Sequence, residues 1–187
     1  VMQRDMETIR STIERMDRAE FDLAVEKLVE AKHIYLLGVR SSSFLAGYLN
    51  FYFHLIFKNV TLVQSSAAGE IFDQMLRIGP GDVLVGISFP RYSKIAVNAV
   101  HFARDRGADV IAVTDSKMSP LYKMASASLL VSSDMISFVD SMAAPVSLLN
   151  ALIMAVGQQK SAETSETFSE LERVWSRYGV FGYEEDE

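Results

Sequence analysis

Five short apolar runs, each bounded by polar or glycine-bearing turns, set the terms of what this chain can fold into. They occupy residues 33–38, 60–63, 83–87, 109–114 and 129–131. Each is too short for an ordinary helix and rich in β-branched residues or leucine, and stretches with helical spacing lie between them. Runs that are apolar at consecutive positions read as strands buried on both faces. Strands that alternate with helices through short loops build an open parallel sheet with helices on both sides. The class is therefore α/β, and ligands of such sheets sit outside the C-terminal ends of the strands.

Residues 82–94 give that edge a chemistry. The third apolar run breaks at Ser88, the loop Phe89-Pro90-Arg91-Tyr92 intervenes, and helical spacing begins at Ser93. A helix start offers an anion unpaired N–H groups and the positive end of a dipole. Ser88 and Ser93 add hydroxyl donors, while Arg91 and Lys94 add positive charge. On this stretch alone, Ser93 reads equally well as a helix cap and nothing more, since serine is a favoured N-cap. A second loop of the same kind, Val39-Arg40-Ser41-Ser42-Ser43 after the first run, tilts the balance towards a ligand. A third, residues 115–119, leaves the fourth run at the same edge.

The helical segments carry a second message. Residues 1–31 read as helix, interrupted at 17–20, with Met2, Met6, Ile9, Ile13 and Met16 in a stripe that seeks a partner in the body or in another subunit. Helices are also expected at about 44–57, 67–77, 93–106, 138–156 and 163–178. The 44–57 helix is apolar on nearly every face, which a surface helix cannot be. It is expected both in the core and at a subunit interface, and with the 138–156 segment it predicts a homodimer or larger assembly. Pro145 belongs in a first turn or at a kink. His54, among aromatics, reads as a hydrogen-bonded interior or interface histidine rather than a catalytic one. Residues 184–187 are a solvated acidic tail.

Composition removes several function classes. A net charge of −6 argues against broad, nonspecific nucleic-acid binding by these residues. There is no cysteine, hence no disulfide framework and no thiolate site, and His33, His54 and His101 are too few for a histidine-rich metal centre. No metal or cofactor is expected. No apolar run reaches the ~18 residues of a membrane span, and no signal-peptide pattern opens the chain. A cytoplasmic protein is expected, and the start at Val1 is compatible with a longer natural chain.

The stretch Tyr35-Leu36-Leu37-Gly38-Val39-Arg40-Ser41-Ser42-Ser43, followed by Val85-Gly86-Ile87-Ser88-Phe89-Pro90-Arg91-Tyr92-Ser93-Lys94, resembles the sugar isomerase (SIS) domain. Ala112-Val113-Thr114-Asp115-Ser116-Lys117-Met118-Ser119-Pro120-Leu121 is similar to a third stretch common in that family. Within the family the chain looks most like the effector domain of RpiR-type bacterial transcription regulators. Those join an N-terminal helix-turn-helix DNA-binding domain to a C-terminal SIS domain that senses a phosphosugar. The resemblance implies a three-layer α/β/α sandwich on a five-stranded parallel sheet. It divides the chain into linker or dimerisation helices (1–31), a SIS domain (32–160) and a C-terminal helix with its acidic tail (161–187).

It also implies a phosphosugar held by hydroxyls of two loops. Ser41 and Ser42 match the first loop, Ser88 the first serine of the second, and Ser93 its closing serine or threonine. Many members continue the second loop with a serine and a glycine, where this chain has Pro90 and Arg91. One usual phosphate contact is therefore missing, and Arg91, Tyr92 or Lys94 is left to replace it. Three functions stay open. The leading one is a ligand-sensing module of a transcription regulator, reaching DNA only through a domain outside these residues and binding phosphosugars without converting them. The second is a phosphosugar isomerase or lyase using Glu70 as acid and base, although a carboxylate at a helix start is already favoured by the dipole. The third is a dimerisation domain whose site has decayed.

Overall fold

Period-two alternation inside the apolar runs divides the core in two. β1 (Ile34–Gly38) sends Ile34 and Leu36 to one face of the sheet and Tyr35 and Leu37 to the other. β3 (Val83–Ile87) and β4 (Asp109–Thr114) do the same, with Val85, Ile87, Ile111 and Val113 on the first face and Leu84, Val110 and Ala112 on the second. β2 (Val60–Val63) and β5 (Ala127–Leu130) complete a parallel sheet in the order β2-β1-β3-β4-β5. The computed structural model describes residues 1–64, 68–133, 135–136 and 139–181.

The first face is covered by α2 (Arg18–Glu30), α3 (Ser42–Ile56) and α6 (Ala143–Gln159), the second by α4 (Ala68–Gln74) and α5 (Lys94–Asp105). Helices α1 (Met2–Arg15) and α7 (Ser161–Tyr178) flank this sandwich. The expected three-layer α/β/α architecture is what forms. The chain leaves β1 through α3 to reach β2 on one side, then crosses back to β3 on the other. Right-handed crossovers require α3 and the following helices to lie on opposite faces when the direction reverses. The reversal falls between β1 and β3.

Element boundaries move where local chemistry outweighs periodicity. Asp17 caps α2, accepting from Ala19 N at 3.0 Å and Glu20 N at 3.4 Å, which explains the interruption of the first helical region. Gly107, with φ 80°, stops α5 as expected. The last apolar segment differs from its reading. Its expected onset at Phe138 lies outside the described residues, Met135–Ile136 and Val139–Asp140 pair as a small antiparallel ladder (β6 and β7), and helix begins only at Ala143. Pro145 then sits in the first turn of α6, where its missing N–H costs no helix bond. The acidic tail at 184–187 also lies outside the described residues.

α1 turns a largely polar side inward, with Ile9 its apolar contact to the first core. Thr8 and Thr12 are its buried residues, while Met2, Met6 and Ile13 are exposed. Asp5 Oδ1 accepts from the Ser141 hydroxyl at 2.6 Å, Thr12 Oγ1 accepts from Ser132 N at 3.0 Å, and the Ser11 and Ser132 hydroxyls meet at 3.1 Å. Glu20 of α2 likewise accepts from Ser128 N at 2.7 Å. The bonds from Ser128 N and Ser132 N occupy backbone donors along the outer edge of β5 and just beyond it, which would otherwise be open to pairing with another chain.

Phe53 is fully buried at the centre of the first core and meets Phe57 edge-on at a centroid distance of 5.3 Å. Phe53→Ala should cost about 3–5 kcal/mol by removing its burial and leaving a cavity. Urea denaturation of the two proteins measures this directly.

Candidate functional site

Loops leaving β1 and β3 diverge onto opposite faces of the sheet, because α3 lies on one face and α5 on the other. A crevice opens between them, the general position of ligands in sheets of this order. Gly38 pairs in register with Ile87, so both loops start at the same level.

The first loop turns very tightly. A Cβ on Gly38 would lie 2.1 Å from the Ser42 carbonyl oxygen, so only glycine lets α3 start this close to β1. Arg40 takes φ 58°, uncommon for a residue with a side chain, and its carbonyl accepts from Ser43 N at 3.0 Å and Ser43 Oγ at 2.6 Å. Ser41 follows in the right-handed helical region, at φ −58° and ψ −34°. Successive left- and right-handed residues form the backbone concavity that receives anions. Ser41 is exposed, and Ser42 is only 5% exposed.

In the second loop Ser88 is 4% exposed, and its N–H donates to the Val113 carbonyl at 3.1 Å. Among the described residues neither the Ser42 nor the Ser88 hydroxyl has a hydrogen-bond partner, and neither is sealed from solvent. Ser93 occupies the N-cap position of α5 but makes no side-chain capping bond, so its hydroxyl is not spent on its own helix. Ser93 is half-buried, while Arg91 and Lys94 are exposed. Tyr92 turns to the third loop, its hydroxyl donating to Asp115 Oδ1 at 2.7 Å. Burial first, and then this bond, raise its phenol above the usual tyrosine range. Its single proton is thereby committed to Asp115.

The third loop underpins the second. Thr114 and Ser119 are fully buried. Thr114 Oγ1 donates to the Ser88 carbonyl at 2.8 Å, the Ser119 hydroxyl donates in turn to Thr114 Oγ1 at 2.8 Å, and Leu121 N donates to Ser119 Oγ at 3.3 Å. Sequence reasoning marked residues 115–119 as part of the edge but gave none of them a role. Thr114 looked like the last residue of a strand. Glu70, the alternative acid and base, lies exposed in the first turn of α4, the helix that leads from β2 back to β3. Its neighbours Ser65 and Ser66 lie outside the described residues.

An open groove of about 1090 Å³ lies elsewhere, between α7 and residues 54–59. It borders Ala31 and Asn59, just ahead of β1 and β2, and so opens at the N-terminal edge of the sheet. His54, on its wall, is exposed rather than interior, and its Nδ1 lies 3.0 Å from the Asn50 carbonyl of its own helix.

A family model described as the SIS domain matches residues 27–155. The chain belongs to the SIS domain family. An HTH-type transcriptional regulator of Caldanaerobacter subterraneus subsp. tengcongensis is 30% identical over 158 residues, which cover 82% of this chain and 55% of the relative. The chain thus spans about half the length of that curated relative. The sugar isomerase domain of an RpiR transcription factor from Sphaerobacter thermophilus superposes with a TM-score of 0.87 at 22% identity, over 92% of this chain and 96% of that one. The Vibrio vulnificus NanR protein, solved with ManNAc-6P, superposes with a TM-score of 0.82 at 19% identity, over 97% and 69%. At these identities the two structures establish a shared fold. Among the described residues of this SIS domain, no helix is long and apolar enough to cross a membrane.

Thr114→Val keeps the shape of the side chain while removing the donor to Ser88 and the acceptor for Ser119. It should cost about 1–3 kcal/mol, the range for leaving buried polar groups unpaired. Chemical denaturation of parent and variant gives the difference.

Proposed function

We propose that this SIS domain is the phosphosugar-sensing effector module of a transcription regulator. The observation that carries the reading is the pair Ser42 and Ser88. These two nearly buried hydroxyls have no partner among the described residues and stand on loops that start side by side. Nearly buried hydroxyls are normally hydrogen-bonded, so a pair left open at a crevice suits an incoming acceptor. The backbone concavity at Arg40-Ser41 and the N-termini of α3 and α5 supply further donors to the same anion. Ser41 and Ser93 line the approach, and Arg91, Lys94 and Arg40 raise the local concentration of anions without being shielded from water. Tyr92 serves by holding the second loop to the third. DNA contact belongs to a helix-turn-helix unit of the kind named for the curated relative.

Each hydrogen bond to a charged group contributes about 1.5–3 kcal/mol. Ser88→Ala should therefore weaken a phosphosugar by roughly ten- to a hundredfold and leave the unphosphorylated sugar almost unchanged. Isothermal titration with matched pairs of phosphorylated and plain sugars tests this. A Ser88→Ala protein that binds phosphosugars as tightly as the parent would overturn the site.

The same module is proposed to act as a homodimer or larger assembly through the outer face of α3 and α6. Phe44 is 79% exposed, Phe51 63% and Met154 62%, and Tyr48 bridges the two helices by donating to Asn150 Oδ1. Large apolar residues this open, two aromatics on α3 and a methionine on the adjoining α6, mark an association surface rather than scattered surface apolar groups. Phe51→Glu should shift the sedimentation mass to that of a single 20.8 kDa chain without lowering its stability. A parent protein that already sediments as a single chain at micromolar concentration counts against the assembly.

A further inference from the structure

We propose that Asp115 sets the ligand class of the site. It admits sugar phosphates whose sugar part is neutral or cationic and rejects those that carry a second acid group. The proposal rests on the reading of Ser42 and Ser88 as the phosphate subsite. Asp115 follows β4 directly. Its Oδ1 accepts from the Tyr92 hydroxyl at 2.7 Å and lies 3.3 Å from Thr114 Oγ1, which itself bonds the Ser88 carbonyl at 2.8 Å. The carboxylate therefore stands within two short contacts of the backbone of Ser88. Its second oxygen has no partner among the described residues, and the side chain is half-buried rather than sealed.

The charges around the crevice are unevenly matched in reach. Residues 39–43, 88–94 and 115–119 contain four cations, Arg40, Arg91, Lys94 and Lys117, and Asp115 as their single carboxylate. All four cations are exposed, so their attraction is spread over the edge and weakened by water and salt. Asp115 is fixed in place by Tyr92 and acts at contact range. An ionised carboxylate is an acceptor only, so it welcomes a hydroxyl or ammonium of the sugar. A ligand carboxylate would meet a like charge with no proton to share. Discrimination by such a repulsive element is a general route to specificity.

Two open-chain ligands differing at one carbon test the idea. Sorbitol 6-phosphate ends in a primary alcohol where 6-phosphogluconate ends in a carboxylate. In isothermal titration the parent chain should bind the former at least roughly tenfold more tightly, the scale of one like-charge contact near a protein surface. Asp115→Asn retains an acceptor for Tyr92 and should bring the ratio close to one by strengthening the acid ligand. Asp115→Ser gives the same comparison if the asparagine variant does not fold. A parent ratio near one, or a ratio unchanged in the folded variant, overturns the role of Asp115 while leaving the phosphate reading intact. Failure of both ligands to bind the parent chain overturns both together.

Discussion

Burial of the central strands on both faces is the constraint from which the remaining organisation follows. β1 and β3 have no exposed residue, so neither face of the sheet is available to a ligand. Polar chemistry is confined to the strand ends, and there the reversal of chain direction between β1 and β3 pulls two loops apart. The site is thus a by-product of packing: α3 and α5 must lie on opposite faces to satisfy both cores. The gap between their first turns is the space that remains.

Close approach is the second determinant. α3 begins so near β1 that no side chain is tolerated at Gly38, and Arg40 absorbs the turn by adopting a left-handed conformation. At β3, Gly86 plays a related part, since a Cβ there would come within 3.0 Å of Val100 on α5. Glycine at these positions draws both helices tightly onto the ends of their strands. That proximity sets the first turns of both helices, with the serines beside them, at the rim of the crevice.

Much of this was legible in the sequence because it follows from local pattern. The apolar runs predicted the strands, and the serine-bearing turns fall at the C-terminal strand ends, where the alternation of strands and helices put them. Ser42 and Ser88 stood among the expected ligand residues, one at a helix start and the other where the third run breaks. The supporting network was not legible. Thr114 reads as a β-branched strand residue, and its bond to the Ser88 carbonyl depends on β3 and β4 being neighbours, which is a tertiary fact. Tyr92 offered itself as a ligand contact, whereas its proton goes to Asp115, 23 positions further along the chain. The helix onset after β7 was misplaced because an apolar stretch interrupted by polar residues has the same composition in a short ladder as in a first helical turn.

The reversed seating of α1 carries a mechanical implication. Helices usually dock by burying apolar area, and peeling them away is then costly. α1 is fastened by side-chain bonds from Asp5, Ser11 and Thr12 to Ser132 and Ser141, with Ile9 as its apolar anchor, and water can replace each of the bonds. Its methionine face is already wet. Lifting α1 breaks those bonds and uncovers Ile9, which packs against the first core, while its methionines lose nothing. A latch of this kind is undone mostly by water, so the first turns of the chain can change partners while the sheet beneath keeps its packing.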